Sequence, residues 1–366
     1  MSENKRKIYK NTFSMLMLIF IVAIIAKIYE YNFMEKNAFT IINYIMNGIN
    51  NGIFTGDKSF DFPIKVLSFL RIFNFSTVYE AGIICAIIMN IICFLVLLLA
   101  NEKYTFKEYI FIFSTIFILN FTVFDLNKDV IQFLFVLLIY CVISNQKIKK
   151  SRQIIYTMMI LLFETIFFRS YYILIVGLFP LIYFLLKGVA GKEIKNKKRI
   201  ALKIILIFIF FFTTIFLMQY IAYESYLELV NRRNRLEYIE ANTIIRNIFQ
   251  GTSYFYFCVN YFVNLIRCLF PIEICTKGTK YIIFAFYQIF ITISIIKALK
   301  NINKNNILFI SFILSYCMTM AASESDFGTF VRHQSVLLFF YVYIIKNLSN
   351  EKIKSKNIIK NSNLKG

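Results

Sequence analysis

The sequence predicts an all-α integral membrane protein with about ten transmembrane helices and with both termini in the cytoplasm. Hydrophobic residues make up 59% of the 366 residues, and the mean hydropathy is +0.65. Several apolar runs extend over about 18 residues or more, the length that an α-helix needs to cross a bilayer. These runs are continuous, whereas the strands of a membrane β-barrel alternate between apolar and polar residues. Because lipid offers the backbone no hydrogen-bonding partner, such spans must be helices.

Ten spans can be placed in order along the chain. They cover approximately residues 12–29, 78–100, 108–124, 129–144, 153–168, 170–187, 203–221, 281–299, 306–322 and 330–347. The first run is not followed by a small-residue cleavage site, and we therefore expect a retained span rather than a signal peptide. Residues 1–350 are expected to form a single polytopic membrane domain, followed by a basic cytoplasmic tail at 351–366.

The lysines assign the sides of the membrane, because basic residues near the ends of spans mark the cytoplasmic side. With ten spans, the basic segments fall on one face: the N-terminus, the loops after the fourth, sixth and eighth spans, and the C-terminal tail. Of the 30 lysines, 23 lie in segments that this assignment makes cytoplasmic. The two large outer loops are then residues 30–77 and 222–280.

The number of spans depends on residues 252–270, which are long and apolar enough to cross the bilayer. If this segment crossed, the later spans would invert and the lysine-rich tail would move outside. Asn260, Asn264 and Arg267 follow the spacing i, i+4, i+7 and form a polar stripe on one helical face. We therefore expect a re-entrant or interfacial helix. Two further pieces of the chain are expected to be interfacial, near 38–53 and 62–75.

The composition excludes several classes of function. The formal net charge is +21, but no basic stretch is long enough to grip a nucleic-acid backbone, and topology explains most of the lysines. The seven cysteines are scattered without CxxC spacing and there is a single histidine, so neither a disulfide framework nor a transition-metal site is expected. The sequence contains no Walker, GxGxxG or GxSxG motif, and no cofactor is expected.

Arginine is distributed in the opposite way to lysine. A guanidinium group is a planar fork of donors that binds phosphate or carboxylate through two hydrogen bonds at once. Arginine gathered against the positive-inside bias therefore predicts an anionic ligand on the outer face. The alternative for any single arginine is a charge ladder on a solvated helix. Eight of the eleven arginines fall on the predicted outer face: Arg71, Arg169, Arg232, Arg233, Arg235, Arg246, Arg267 and Arg332.

Two predicted outer turns carry further candidates. Lys128 lies with two aspartates in the turn between the third and fourth spans, where Asp125 or Asn127 is also a good N-cap for the fourth span. Arg169 lies in the turn between the fifth and sixth spans, and Glu164, about one helical turn deeper, is placed to hold it. Both capping and ligand binding remain open for these residues.

The polar stretch 322–334, ASESDFGTFVRHQ, separates the last two apolar runs. It contains Glu324, Asp326, Arg332 and His333, which is the only histidine of the chain. Charges between two membrane spans are costly unless they have a function. A carboxylate here can act as a base or orient the imidazole, and an arginine can neutralise a phosphate leaving group. A purely structural histidine is the alternative.

The motif DFGTFVRH (326–333) resembles the late motif of the Wzy-type O-antigen and capsule repeat-unit polymerases of bacteria, in which a DFG element in an outer loop precedes an Arg-His pair. The segment NLIRCLFPIEICTKGTKY (264–281) resembles the segment that follows their large outer loop. NKDVIQF (127–133) and FRSYY (168–172) are similar to their early outer turns. The likeness extends over spans three to ten, about two thirds of the chain. Gln334 departs from the pattern, which has a glutamate at this place.

This resemblance implies a metal-independent membrane glycosyltransferase on the outer face of the plasma (inner) membrane. Such enzymes transfer a growing glycan from its polyprenyl diphosphate to a sugar hydroxyl of the next lipid-linked unit. We expect His333 with Glu324 or Asp326 to act on the acceptor. The expected residues for binding diphosphate and glycan are Arg169, Arg232, Arg235, Arg246, Arg267, Arg332 and Lys128. The expected partners are polyprenyl-diphosphate-linked oligosaccharides, the lipid bilayer and a chain-length regulator protein.

Two other functions remain open. A glycosyltransferase that adds one sugar from a polyprenyl monophosphate would need a catalytic carboxylate in the first outer loop, where Glu30, Glu35, Asp57 and Asp61 are available. A flippase or transporter of lipid-linked oligosaccharides would place charges in the middle of spans and show internal repeats. The sequence has little charge at that depth, with Lys27 near the end of its span, and shows no convincing repeat.

Overall fold

The computed structural model describes residues 3–33, 40–100, 103–188, 197–236 and 242–349. Within these ranges all the regular elements are helices, and residues 244 and 326 form an isolated antiparallel bridge. The α-helices are α1 (Glu3–Phe33), α2 (Thr40–Asn51), α3 (Lys58–Leu67), α4 (Val78–Leu99), α5 (Phe106–Thr122), α6 (Lys128–Ser144), α7 (Lys150–Phe167), α8 (Ile173–Lys187), α9 (Lys197–Ile221), α10 (Tyr223–Leu236), α11 (Tyr254–Leu269), α12 (Thr279–Lys300), α13 (Ile307–Ser323), α14 (Phe327–Ser335) and α15 (Leu338–Ser349). Short 3-10 segments cover Ser68–Phe73, Ser170–Tyr172 and Ile272–Lys277.

Several of these helices are long and apolar enough to cross a membrane. A further candidate is the pair α14–α15, whose axes differ by 71° across a short break. The chain is therefore an all-helical protein with the character of a multi-pass membrane protein. The five single-helix candidates among the described residues are Asn11–Tyr31, Val78–Leu99, Ser170–Lys187, Ala201–Ile221 and Tyr281–Lys300.

The remaining predicted spans also fall on helices, but these helices are shorter. α5, α6 and α13 have 17 residues and α7 has 18. At a rise of about 1.5 Å per residue, 17 residues extend roughly 26 Å, slightly less than the hydrocarbon core of a bilayer. The number of ten spans therefore stays a prediction. The predicted last span, 330–347, is not one continuous helix, because Asp326 begins a separate helix that ends before α15.

The helix starts follow from local capping chemistry. Thr77 and Glu80 form a capping box at the start of α4, and Thr105 and Glu108 form a second one at α5. Asp57 accepts a hydrogen bond from the Ser59 backbone N–H and begins α3. Each of these side chains satisfies backbone N–H groups that have no partner inside the helix. α2 and α3 have only 12 and 10 residues. These lengths suit the interfacial helices expected in the predicted outer loop 30–77.

The chain divides into two compact units. The first consists of Met1–Asn145, Phe163–Ser170 and Ser335–Val342. In it, α1 packs against α4 and α5, while α3 packs against α2 and α6. Asn90 of α4 and Asn120 of α5 are buried and exchange amide hydrogen bonds of 2.7 and 3.0 Å. These reciprocal bonds leave neither amide unsatisfied in the apolar interior.

The second unit consists of Gln146–Leu162, Tyr171–Gln334 and Tyr343–Gly366. Its central helix is α13, which is buried over almost its whole length and packs most extensively against α8. Ser311, Ser315 and Thr319 recur every four residues on α13 and are fully buried. Small side chains of this kind let helices approach closely in membrane proteins. α10 and α11 also pack against α13, so the large loop predicted at 222–280 is a folded part of this unit.

The predicted sidedness can be tested with alkaline phosphatase fusions, which are active only when exported. We expect fusions after Lys304 and Ser349 to be inactive, as expected for cytoplasmic positions, and a fusion after Asp57 to be active. A fusion after Lys147 is the matched cytoplasmic control. If α11 crosses the bilayer, the fusions after Lys304 and Ser349 become active. The fusion after Asp57 then stays active and the fusion after Lys147 stays inactive.

Candidate functional site

The turn between α5 and α6 in the first unit holds a buried charge cluster. The Lys27 ammonium group, on α1, lies 3.0 Å from the Asp125 carboxylate and 3.1 Å from that of Glu30. Lys27 is 1% exposed and Asp125 is 7% exposed. Asp125 and Asn127 were the two expected N-caps of α6, and the Asp125 carboxylate instead accepts from Lys27 and from the Leu126 backbone N–H. The N-cap position of α6 belongs to Asn127, whose side chain makes no capping hydrogen bond.

Gly82 of α4 lies directly against this cluster. A Cβ atom at this position would lie 1.9 Å from the Tyr31 hydroxyl oxygen and 2.6 Å from Oδ1 of Asp125. The Lys27 ammonium group also lies 4.7 Å from the centroid of the Tyr31 ring, a cation–π contact. The absence of a side chain at Gly82 is therefore what lets α4 approach the charged groups of α1 and of the turn.

A second buried cluster in the same unit surrounds Arg169. Its guanidinium group donates to Asp129 at 2.5 Å and to the side-chain oxygen of Gln132 at 2.9 Å. Arg169 is 5% exposed, and Asp129 and Gln132 are 1% and 0% exposed. The expected partner, Glu164, contributes its backbone oxygen to the Arg169 N–H, and its side-chain Oε1 has no hydrogen-bond partner among the described residues. Arg169 is thus held by Asp129, which the sequence did not indicate as its partner.

Lys128 lies in the same turn but takes no part in these ion pairs. Its ammonium group lies 4.6 Å from the centroid of the Phe60 ring, a cation–π contact with α3. The side chain is only partly buried. Lys128 is therefore less buried than Lys27, which is 1% exposed.

In the second unit, the polar stretch 322–334 forms the junction between α13 and α14. α13 ends at Ser323, and Asp326 begins α14 by accepting a 2.6 Å hydrogen bond from the Thr329 backbone N–H. The backbone of residues 243–245 pairs with this junction through Phe327 N–H to Thr243 O and Ile245 N–H to Ser325 O, both 2.8 Å. Asp326 is therefore a helix cap and an anchor, a role that competes with the expected catalytic one.

His333 and Glu324 come together at this junction. Nε2 of His333 lies 3.7 Å from Oε1 of Glu324, a distance that suits an electrostatic contact and is too long for a hydrogen bond. Both side chains are buried, at 1% and 7% exposure. Arg332 precedes the histidine and is half-buried. Gln334, where the polymerase pattern has glutamate, is buried and lies 3.2 Å from the Cys317 sulfur.

The two asparagines of the stripe on α11 hold two stretches of irregular backbone, one of which is this junction. Asn264 donates to the backbone oxygens of Ala321 at 2.9 Å and of Glu324 at 2.7 Å. Asn260, one turn earlier, accepts from the Ile248 and Phe249 N–H groups and donates to the Phe249 oxygen. The stripe expected from the i, i+4 spacing is thus a set of backbone clamps.

Arg267, the third member of the stripe, binds Glu273 as expected. Its Nε and Nη2 atoms donate to the two carboxylate oxygens at 2.8 and 2.7 Å, a bidentate pair. Its remaining nitrogen donates to the backbone oxygen of Arg246 at 3.0 Å. This pair is partly exposed, at 29% for Arg267 and 36% for Glu273. The Arg246 side chain is exposed.

The sequence placed Arg233 among the outer-face arginines, with a solvated charge ladder as the alternative, and the structure buries it. Arg233 is 2% exposed, donates to Asn247 and to the backbone oxygen of Asn260, and lies over the Phe257 ring. The signal available in the sequence was its position on the same helix as buried Tyr226 and Val230, at i+7 and i+3. Arg232 and Arg235 also lie on α10, and their side chains fall outside the described part of the structure.

The carboxylates of the first loop have structural partners. Asp61 accepts hydrogen bonds from the backbone and hydroxyl of Thr55 and from the Gly56 backbone. Partial desolvation acts against ionisation, but these hydrogen bonds prevail and lower the pKa of the Asp61 carboxyl. Asp57 caps α3, Glu30 pairs with Lys27, and Glu35 lies outside the described residues.

An apolar groove runs between α9 and α11 in the second unit. Its volume is about 510 Å³, and it is lined by Phe208, Phe212 and Phe216 of α9 together with Tyr254 and Phe262 of α11. α9 is the least buried of the candidate spans, so this groove lies on a face suited to lipid. Within the described ranges, His, Cys, Asp and Glu side chains form no group of three that would hold a metal ion.

Comparison with models of protein families, with curated proteins and with solved structures gave no match to this chain.

Replacement of Gly82 by alanine is expected to destabilise the protein by roughly 1–3 kcal/mol, because the added methyl group collides with Tyr31 and Asp125. Gly177→Ala in α8 is the matched control, since no neighbouring atom lies within 4 Å of its Cβ position. The control should be neutral or stabilising by up to about 1 kcal/mol. Thermal unfolding in detergent can be followed by a thiol-reactive dye that labels buried Cys85 and Cys93. Equal midpoints for the two variants would contradict this account.

Proposed function

We propose that this chain is a membrane glycosyltransferase that polymerises polyprenyl-diphosphate-linked oligosaccharide units into a surface polysaccharide. The reaction takes place on the outer face of the plasma membrane. The observation that carries the proposal is the buried contact between His333 and Glu324, beside half-buried Arg332, within the stretch that resembles the polymerases. A histidine and a carboxylate in a buried junction between helices are the groups needed to take a proton from an acceptor hydroxyl.

In the proposed reaction, the acceptor hydroxyl oxygen attacks the anomeric carbon of the growing glycan. A new C–O bond forms, the bond from that carbon to the diphosphate breaks, and its electron pair leaves with the diphosphate. The hydroxyl proton passes to the pair of His333 and Glu324. Arginine stabilises the leaving diphosphate through charge-assisted hydrogen bonds, which need no metal ion.

The contacts divide the expected residues by role. Asp326 is engaged as a cap, and we therefore assign the acceptor chemistry to His333 with Glu324. Among the arginines of the second unit, Arg332 and Arg246 are accessible candidates for diphosphate, and Arg267 can join them by exchanging its partly exposed partner Glu273. Arg169 is buried in its pair with Asp129 and needs a local rearrangement to reach a ligand.

The two remaining partners fit the same proposal. The lipid chain of the substrate would lie in the apolar groove between α9 and α11, on the face suited to lipid. A chain-length regulator protein would act on the polymerase from outside this chain. The first-loop carboxylates Asp57 and Asp61 have structural hydrogen bonds, which disfavours the transferase that adds a single sugar.

A flippase or transporter is the second candidate, because Lys27 is buried with two carboxylates inside a candidate span. Charges in such positions often mark transport pathways. Deletion of the chain separates the candidates. Single units accumulate on the outer leaflet if the chain is a polymerase and on the inner leaflet if it is a transporter.

Replacement of Arg332 or His333 by alanine is expected to shorten or abolish the polymer, with losses of roughly 10²-fold or more in turnover. Polymer length is measured by electrophoresis of surface polysaccharide from cells with matched protein levels. Arg71→Ala is the matched control, since this exposed arginine has no assigned role. Normal polymer and normal protein levels in both variants would show that the site is assigned wrongly.

A charge exchange tests whether Arg267 binds substrate or only Glu273. Arg267→Glu and Glu273→Arg should each cost about 1 kcal/mol or less in stability, because the pair is partly exposed. The double variant restores the ion pair, and the thermal midpoint should return to that of the unchanged protein. If Arg267 binds the diphosphate, polymer length stays reduced in the double variant. Recovery of both properties would assign the pair a structural role only.

A further inference from the structure

The end of α13 leaves backbone oxygens that the helix itself does not satisfy. The last helical hydrogen bond at this end runs from the Glu324 N–H to the Met320 oxygen, and Glu324 then adopts extended backbone angles. The oxygens of Ala321 and Glu324 therefore have no acceptor role inside the helix. Because the junction is buried, they require donors from elsewhere in the protein.

Asn264 supplies those donors from a different helix. Its side-chain nitrogen donates to both oxygens, at 2.9 Å to Ala321 and 2.7 Å to Glu324, and its side-chain oxygen lies 3.7 Å from the Cys268 sulfur. Asn264 is 2% exposed and lies 60 residues before Glu324 in sequence. One amide thus fixes the chain on both sides of the point at which it leaves α13.

This clamp holds the backbone from which the Glu324 side chain projects. The residue lies between the end of α13 and the cap of α14, in extended backbone whose oxygen accepts from Asn264. Nε2 of His333 and Oε1 of Glu324 are 3.7 Å apart, which is an electrostatic contact rather than a hydrogen bond. A change in the backbone angles of Glu324 would therefore move its carboxylate relative to His333.

We propose that Asn264 is the positioning residue that aims the Glu324 carboxylate at His333 by clamping the backbone oxygens at the end of α13. This inference rests on the proposed function, in which that pair receives the acceptor proton. Asn264 touches no reacting atom and acts through Glu324. In this proposal, one residue of the polar stripe on α11 contributes to the transfer reaction by positioning Glu324.

The test replaces Asn264 by aspartate, which keeps the shape of the side chain but sets an acceptor oxygen against two carbonyl oxygens. The matched control is Asn260→Asp, one turn earlier on α11, where the side chain holds residues 248 and 249 instead. The substrate is the lipid-linked repeat unit extracted from cells that lack this chain. Turnover and KM are measured on purified protein in detergent, with the thermal midpoint recorded for each variant.

We expect Asn264→Asp to lower kcat by at least about tenfold with little change in KM, since a displacement on the order of 1 Å can cost 10²-fold in rate. Asn260→Asp should keep kcat within about twofold at a similar thermal midpoint. Loss of kcat in both variants, or loss that only follows the fraction of folded protein, would assign Asn264 a structural role and overturn the proposal. So would an unchanged kcat in Asn264→Asp.

A second substitution separates this proposal from the function on which it rests. Glu324→Gln removes the carboxylate but leaves the backbone clamp intact. If Glu324→Gln polymerises normally, the proposed function of the pair fails, whatever Asn264→Asp does. If Glu324→Gln loses turnover and Asn264→Asp keeps it, only the positioning role fails.

Discussion

Two aspartates, Asp125 in the α5–α6 connection and Asp129 in the first turn of α6, are the constraint on which the first unit depends. Asp125 holds Lys27 of α1, 98 residues earlier, and Asp129 holds Arg169, 40 residues later. A buried ion pair adds little over an apolar pair of the same shape, but loss of one partner costs about 3–5 kcal/mol, because the other charge is left buried. These pairs therefore act by excluding other arrangements. A shift of α1 or of the 163–170 segment along its neighbours would leave a buried charge without its partner, so the two aspartates fix the register of these two distant segments.

The second unit solves the same problem with amides and backbone instead of ion pairs. Irregular backbone in an apolar environment is tolerated only where its polar groups find partners inside the protein. The junction between α13 and α14 meets this condition through Asn264 on one side and the backbone of residues 243–245 on the other. Glu324 and His333 lie 3.7 Å apart at this break between the helices. The candidate site lies at this junction because buried irregular backbone permits side-chain directions that a continuous helix does not.

Local signals in the sequence were sufficient for the helices and for short-range pairs. Continuous apolar runs predicted a helix at each span except 330–347, which two helices share, and the separation of six residues made Glu273 the natural partner of Arg267. The capping role of Asp326 could have been predicted, because aspartate is a preferred N-cap residue and its carboxylate accepts from the backbone N–H three residues later, here that of Thr329. The pairing of Lys27 with Asp125 could not, because periodicity within one segment carries no information about which distant segment packs against it. The burial of Arg233 could not be predicted for the same reason. Its charge indicated a solvent-exposed position, whereas in the structure α11 covers the side chain.

The pairing of charges decides which arginines can still recognise an anion. An arginine in a bidentate pair with a carboxylate presents little net charge, so a diphosphate must either displace the carboxylate or bind elsewhere. Displacement is feasible where both partners reach solvent, as for Arg267 and Glu273, because the released carboxylate is then rehydrated. It is costly for Arg169, whose partner Asp129 would remain buried without a counter-ion. An excess of arginine on one face therefore overstates the positive charge offered to a ligand.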